Sequence, residues 1–285
     1  MKNFFLFSLI FIFFACNDTA KTKKDTQKIT KANTQDLSKH LGLEVHTGYL
    51  GSCASGRIED LRAAADVLRR QGVQVTVYDR YDRAGGLLTY GIPGFKLEKD
   101  IVLRRVQRLE DAGIIFHANF EVGRDASLDD LRAKHDAVLI ATGVYKARAI
   151  ATPGSGLDGI VPALDFLTIS NRKGFGDAVP AFDSGAMNAH GKDVVVIGGG
   201  DTAMDCVRTA VRQGAKSVKC LYRRDRDNMP GSQREVTNAE EEGVEFVWLS
   251  APKGFTGTAS VEGVIVQRMR LGAPDASGRQ SPEVI

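Results

Sequence analysis

Residues 194–205 read VVVIGGGDTAMD, and this stretch decides the fold. Three valines and an isoleucine predict a buried strand, after which the chain turns into a helix. Gly198, Gly200 and Ala203 give the spacing G-x-G-x-x-A. In that spacing the first glycine allows a tight turn, the second lets the backbone approach a pyrophosphate, and the small third residue lets helix and strand pack closely. The stretch therefore predicts a dinucleotide site at the N-terminus of the helix.

The next strand indicates which dinucleotide binds. Residues 217–222 follow the helix and its predicted stop at Gly214, and they lead into Arg223 and Arg224. In this fold an acidic residue at the end of the second strand accepts hydrogen bonds from a free 2′-hydroxyl, whereas arginine accommodates a 2′-phosphate. The two arginines predict NADPH rather than NADH. An ordinary glycine-rich turn with solvated arginines stays open as the alternative.

The chain repeats this unit. Residues 67–80 read VLRRQGVQVTVYDR and residues 210–224 read AVRQGAKSVKCLYRR, so both contain a helix end, a Gln-Gly stop and a strand. Asp79 ends the first strand where Arg223 ends the second, and an acidic residue suits the free ribose of FAD. The sequence predicts an α/β protein with two Rossmann-like dinucleotide-binding units, one of the FAD type and one of the NADPH type. Because the cofactors would carry the hydride chemistry, no catalytic side chain is predicted.

Two further segments are compatible with a flavin site. Residues 85–88 read GGLL, and such small residues could let the backbone approach a flat ligand. Residues 136–143 read DAVLIATG, which predicts a buried strand that ends in a small-residue turn. Each segment alone is more typical of a structural turn than of a binding site. Between them, residues 98–112 predict an amphipathic helix.

Several longer segments carry a resemblance to a known family. They are GGLLTYGIP at 85–93, ATGVYK at 141–146, VPALDFL at 161–167, and YRRD at 222–225 followed by MPGS at 229–232. With the fingerprint at residues 198–205, they make the chain from about residue 63 onward resemble the small (beta) subunit of NADPH-dependent glutamate synthase. That subunit is an FAD-dependent pyridine nucleotide oxidoreductase.

The resemblance implies a function and a set of cofactor-binding residues. Electrons would pass from NADPH through FAD and iron–sulfur clusters to a large subunit, which makes glutamate from glutamine and 2-oxoglutarate. The residues expected at the NADPH site are Gly198, Gly200, Asp201, Thr202, Ala203, Arg223 and Arg224. The residues expected at the FAD site are Asp79, Gly85, Gly86, Leu87, Thr142 and Gly143.

The sequence departs from that family at several points. Residues 51–56 read GSCASG, so Cys53 stands where the FAD fingerprint should have its middle glycine. The four cysteines, Cys16, Cys53, Cys206 and Cys220, have no C-x-x-C spacing, so neither an iron–sulfur cluster nor another metal site is predicted. The chain stops at residue 285, before the segment expected to return to the flavin unit. Both nucleotide-binding units are therefore expected to be incomplete.

The N-terminus indicates a different destination. Residues 1–16 combine Lys2, an apolar run and Ala15-Cys16, a pattern typical of a lipoprotein signal. The apolar run is too short for a transmembrane helix. Residues 17–48 are polar and predict a disordered tether. The remaining predicted domains are an FAD-type unit over residues 49–171 and an NADPH-type unit over residues 172–285.

The signal-like N-terminus and the resemblance of the rest of the chain imply different locations in the cell, and several interpretations stay open. A dependence on NADPH favours the cytoplasm, whereas a lipid on Cys16 would favour a membrane. The chain could be a chimeric or mis-assembled reading frame, or a fusion whose N-terminus is not used as a signal. The alternatives to electron transfer are a non-catalytic NADPH-binding fragment and a lipid-anchored binding protein. The formal net charge of +3 is small and argues against a nucleic-acid surface.

Overall fold

The computed structural model describes residues 3–7, 73–140, 150–276 and 278–285. Thr142, Gly143, Cys16 and Cys53 lie outside these residues, as does the predicted tether. The described strands and helices, in chain order, are β1 (Asn3–Phe7), β2 (Gln74–Tyr78), α1 (Gly86–Tyr90), α2 (Lys99–Asp111), β3 (Ile115–His117), α3 (Leu128–Lys134), β4 (Ala137–Leu139), α4 (Ala163–Gly174), α5 (Pro180–Asp183), β5 (Asp193–Ile197), α6 (Asp201–Arg212), β6 (Ser217–Leu221), α7 (Gln233–Glu241), β7 (Glu245–Val247), β8 (Ser250–Thr256), β9 (Gly263–Pro274) and β10 (Gln280–Val284).

The chain divides into two compact units. The described part of the first unit comprises residues 3–7, 73–82 and 109–140, and the described part of the second comprises residues 83–108, 150–276 and 278–285. The predicted domain boundary between residues 171 and 172 stays a prediction.

The first unit contains a parallel sheet with the strand order β3-β2-β1-β4. This is the order of the first four strands of a Rossmann unit, and the predicted α/β fold class is confirmed. Val75, Val77, Ile114 and Leu139 form its buried core. Residues of the signal-like segment form β1 and pair with both β2 and β4. The interpretation of that segment as a signal stays a prediction.

The second unit is built on the parallel sheet β5-β6-β7, with α6 following β5 directly. Val194 and Val196 pack against a core that includes Met204 and Val207 of α6. Val195 is 42% exposed, so the prediction that all of this strand is buried is wrong. The reason is the strand's alternation: α6 covers one face of the described sheet, and Val195 points to the other.

Most helix bounds agree with the sequence patterns. The helix predicted over residues 98–112 is α2, and α6 stops just before Gly214, whose φ is +80°. The glycines of residues 172–191 are typical of a loop-like linker, but this stretch contains the end of α4 and the short helix α5. Val179-Pro180 starts the helical turn of α5, for which proline is suited at the first position.

A third sheet completes the described fold, with the antiparallel order β10-β9-β8. None of the helices in the described part of the chain is both long and apolar enough to cross a membrane. Residues 73–140, 150–276 and 278–285 hold no group of three or more His, Cys, Asp or Glu side chains arranged to bind a metal ion.

An ion-pair cluster holds α7 against α6. Arg208 is only 8% exposed, although arginine side chains mostly lie at the surface. It donates hydrogen bonds to Glu235 at 2.7 Å and to Glu242 at 2.7 and 2.9 Å. Arg212 also pairs with Glu242. Arg208 is covered because α7 lies over this face and brings carboxylates to it, whereas the side chain of Arg212 is 38% exposed.

The cluster lowers the pKa of Glu242. Burial alone would raise this pKa, but hydrogen bonds from Arg212 and Arg208 outweigh burial and lower it from 4.5 to about 2. A carboxylate with a lowered folded-state pKa stabilises the fold above its unfolded pKa and loses that contribution as the pH falls through the folded one. The stabilisation by Glu242 is therefore complete above pH 4.5 and declines toward pH 2.

We predict that Glu242→Gln lowers the free energy of unfolding at pH 7 by about 1–3 kcal/mol, since it leaves two arginines poorly paired. Urea unfolding followed by circular dichroism would measure this loss. The difference from wild type should shrink as the pH falls from 4.5 toward 2. Glu241→Gln is the control, because Glu241 is an exposed neighbour without an ion pair in the described residues. A difference that stays constant over this pH range would contradict the assignment.

Candidate dinucleotide-binding site

The glycine turn between β5 and α6 has the geometry that its sequence predicts. Gly198 adopts a φ of +156°, which favours glycine. A Cβ added at Gly198 would lie 3.3 Å from the Cβ of Ala203, so both residues must be small for the turn to close on the helix. Gly200 caps the start of α6 with extended backbone.

Several backbone N–H groups at this turn have no hydrogen-bond acceptor among the described residues. The N–H groups of Gly199, Gly200, Asp201 and Thr202 donate no hydrogen bond to any described residue. A Cβ added at Gly200 would meet no atom of the described residues within 4 Å, so among these residues the space beside it is open. The helix dipole adds a partial positive charge at the same point. The arrangement can therefore bind an anion such as a diphosphate.

The segment at residues 229–232 folds back onto the turn. The N–H of Gly231 donates to the carbonyl oxygen of Gly199 at 2.9 Å. Asp201 accepts a hydrogen bond from the N–H of Ser232 at 3.0 Å through Oδ1. Since Ser232 is the N-cap of α7, the carboxylate lies at a helix N-terminus, which stabilises its charge. Asp201 thus ties α6 to α7.

Sequence reasoning missed the role of Gly199, which it treated as a spacer. A Cβ added there would lie 2.3 Å from the ring of Tyr222, closer than any real contact. The turn therefore needs glycine at residue 199 because an aromatic ring occupies the adjacent space. A tyrosine at the end of the neighbouring strand is the signal that could have indicated this contact.

The arginines that follow β6 differ sharply in their surroundings. Because β5 and β6 are parallel, Gly198 and Arg223 lie at the same edge of the sheet, and the N–H of Gly198 donates to the Leu221 carbonyl at 3.1 Å. Arg223 is exposed and has no hydrogen bond or ion pair with the described residues. Arg224 is only 7% exposed. Arg226 pairs with Glu240 at 2.6 Å.

In the first unit, Asp79 lies directly after β2, as predicted. It is 3% exposed, and its Oδ1 accepts a hydrogen bond from the N–H of Tyr81 at 3.0 Å. Its backbone N–H donates to the carbonyl oxygen of His117, and its carbonyl oxygen accepts from the N–H of Phe120, both at 2.9 Å. The carboxylate is therefore held rigidly at the edge of the sheet where a ribose is expected.

The glycines at residues 85 and 86 belong to the second unit and begin α1. Gly85 has a φ of +111°, and a Cβ there would lie 2.3 Å from Oγ1 of Thr89. Gly86 has a φ of +51°, and Leu87 is buried. Gly85 is thus required by local packing, whatever its relation to a ligand.

A second feature that sequence reasoning missed is the buried carboxylate of Asp205 on α6. Asp205 is 3% exposed, and its Oδ1 accepts a hydrogen bond from Lys96 Nζ at 2.7 Å. Burial raises the pKa of Asp205 to about 6, because the attraction of Lys96 offsets only part of it. The guanidinium carbon of Arg212 lies over the ring of Phe95, 3.9 Å from the centre of that ring. Residues 95 and 96 therefore anchor the side of α6.

The family model described as pyridine nucleotide-disulphide oxidoreductase matches residues 62–271. The chain is 73% identical over 223 residues to the putative glutamate synthase [NADPH] small chain of Cereibacter sphaeroides, covering 78% of this chain and 53% of that protein. It is 66% identical over 248 residues to the glutamate synthase [NADPH] small chain of Azospirillum brasilense, covering 87% of this chain and 50% of that protein. The chain thus spans about half the length of the curated relatives it matches.

Among solved structures, the chain is similar to Mycobacterium tuberculosis FprA in complex with NADPH. The TM-score is 0.65 at 20% sequence identity, and the match covers 80% of this chain and 63% of that one. A likeness at this identity shows a shared fold.

We predict that alanine at residue 199 lowers stability, whereas alanine at the neighbouring residue 200 weakens binding. Gly199→Ala should lower the free energy of unfolding by about 1–3 kcal/mol, because the new Cβ collides with Tyr222. Gly200→Ala should change it by no more than about 0.5 kcal/mol but should weaken dinucleotide binding, since its Cβ enters the open space. Denaturant unfolding and nucleotide titration would separate the two effects. Equal stability losses at both positions would contradict this geometry.

Proposed function

The chain belongs to the pyridine nucleotide-disulphide oxidoreductase family, and from this premise we propose that it transfers electrons from NADPH to FAD, as a glutamate synthase small subunit does. One observation carries the proposal. Four backbone N–H groups of the glycine turn donate to no acceptor among the described residues, and an exposed arginine follows the next strand.

The residues at the second turn fit NADPH. The N–H groups of residues 199–202 would hold the pyrophosphate, and the open side of Gly200 leaves space for its approach. Arg223 would pair with the 2′-phosphate, since no carboxylate of the described residues forms an ion pair with its guanidinium. Arg224 is the second candidate for this phosphate. Because Asp201 is bonded to Ser232, its charge is directed toward α7.

For FAD, the described residues supply only part of a site. Asp79 has the position and the fixed orientation that suit a ribose. Gly85, Gly86 and Leu87 are the other described candidates. When both cofactors are bound, the nicotinamide and the flavin supply the hydride chemistry. The side chains of this protein bind and orient the two nucleotides.

The proposal extends to a partner and a place in the cell. A large subunit would receive the electrons and make glutamate from glutamine and 2-oxoglutarate, and the dependence on NADPH favours the cytoplasm. Cys206 and Cys220 are buried, and burial raises the pKa of both thiols, that of Cys220 to about 12. We therefore assign them to the core and not to an iron–sulfur cluster.

A second candidate is an NADPH-binding protein that does not hold flavin. The observation that favours it is Cys53, whose side chain replaces a glycine in the first fingerprint. Flavin content decides between the two candidates.

We predict that the purified chain has the absorbance spectrum of a flavoprotein and that NADPH bleaches the flavin band under anaerobic conditions. Asp79→Ala should lower the flavin content per chain, because it removes the proposed ribose ligand. Asp129→Ala, at an exposed carboxylate of α3, is the control and should not change it. A colourless protein that still binds NADPH would support the second candidate instead.

We predict that Arg223→Ala raises the dissociation constant for NADPH by about 10- to 100-fold, as expected for the loss of a charge-assisted phosphate contact. The constant for NADH should change little, since NADH has no 2′-phosphate. Arg226→Ala removes the same charge from the same loop, but its guanidinium pairs with Glu240, so the effect should be much smaller. Fluorescence titration with both nucleotides measures these constants. Equal losses for NADPH and NADH would exclude Arg223 as the 2′-phosphate ligand.

A further inference from the structure

Tyr222 connects two structural parts of the NADPH site. Its ring lies against Gly199, so close that a Cβ at residue 199 would be 2.3 Å from the ring. Its hydroxyl donates a hydrogen bond to the carbonyl oxygen of Asn228 at 3.1 Å. Trp248 meets the ring edge-on, with 6.4 Å between centres. One buried side chain therefore contacts both the glycine turn and the segment that follows β6.

That segment, residues 223–231, is here called the arginine loop. Asp225 accepts two hydrogen bonds through Oδ1, one from the N–H of Asn228 at 3.0 Å and one from its Nδ2 at 2.8 Å. The N–H of Met229 donates to the Arg226 carbonyl at 3.1 Å. The far end of the loop is tied to the turn through Gly231. The backbone is thus held along most of the loop, while the side chain of Arg223 stays exposed.

We infer that Tyr222 is a positioning residue that increases the preference for NADPH over NADH by holding the arginine loop in place. The inference rests on the proposed function, because it assumes that Arg223 binds the 2′-phosphate. The ring supports the turn that holds the pyrophosphate, which both nucleotides possess. The hydroxyl supports only the arginine loop, which meets the group that NADPH alone possesses. The ring of Tyr222 therefore supports binding of the pyrophosphate, and its hydroxyl supports binding of the 2′-phosphate.

The physical basis is preorganisation. An arginine on a loosely held loop must lose backbone freedom when it pairs with a phosphate, and that loss weakens binding. The bond from Tyr222 to Asn228 removes part of this freedom before the nucleotide arrives. Loss of a single hydrogen bond of this kind should weaken binding by about 3- to 10-fold.

Tyr222→Phe tests the inference, because it removes the hydroxyl and keeps the ring against Gly199. Dissociation constants for NADPH and NADH would be measured by fluorescence titration, with a thermal melt to verify folding. We expect the NADPH constant to rise by about 3- to 10-fold and the NADH constant to change by less than about 2-fold. Equal losses for both nucleotides, or no loss for either, would overturn the role of Tyr222.

A second pair of variants keeps the test decisive if Tyr222→Phe folds poorly. Asp225→Asn and Asp225→Ala both remove the charge, but only asparagine keeps an oxygen to accept the bonds from Asn228. We expect Asp225→Ala to have the lower ratio of NADPH to NADH affinity, and identical ratios would overturn the inference, because the role of Tyr222 requires that a held arginine loop favours NADPH. Failure of the proposed function gives a different result, namely a wild-type protein with equal affinity for NADPH and NADH.

Discussion

The second unit depends on the absence of side chains at three successive glycines. At residue 198 this lets Ala203 come within 3.3 Å of the Cβ position, so that α6 starts directly beside β5. At residue 199 it admits the ring of Tyr222, and at residue 200 it leaves open space beside the N–H groups of α6. The first two glycines therefore admit a helix and a ring, and the third leaves open the space that the proposed ligand would enter. The turn can bind an anion only because the first two contacts hold its backbone in place.

The same helix is fixed along its sides by charge. Asp205 and Arg208 are almost completely buried, and both find partners: Lys96 for the carboxylate, Glu235 and Glu242 for the guanidinium. A buried ion pair adds little net stability compared with an apolar contact, but loss of one partner is costly. Such pairs therefore favour one arrangement of the neighbouring segments over others. These ion pairs therefore fix the position of the N-terminus of α6, where the glycine turn lies.

Local patterns predicted the parts of the site that depend on neighbouring residues in the sequence. The glycine spacing, the strand that leads to Arg223 and the acidic residue at Asp79 were readable because the Rossmann unit places them at fixed intervals. The burial of Arg208 and the contact of Tyr222 with residue 199 depend on elements distant in sequence, and the exposure of Val195 depends on which face of the sheet is covered. The segment Asn3–Phe7 illustrates another limit, since an apolar run has the same composition in a strand as in a signal peptide.

The arginines after β6 show why composition alone does not define a phosphate site. Arg223, Arg224 and Arg226 carry the same charge within four positions, yet one is exposed, one is buried and one is paired with Glu240. An exposed ion pair contributes little stability, but it still occupies a guanidinium and orients it away from other anions. Selectivity for a 2′-phosphate therefore depends on which guanidinium the fold leaves unoccupied. In the proposed NADPH site this guanidinium is that of Arg223, because the hydrogen bonds of the arginine loop involve Tyr222, Asp225 and Asn228 and leave the side chain of Arg223 exposed.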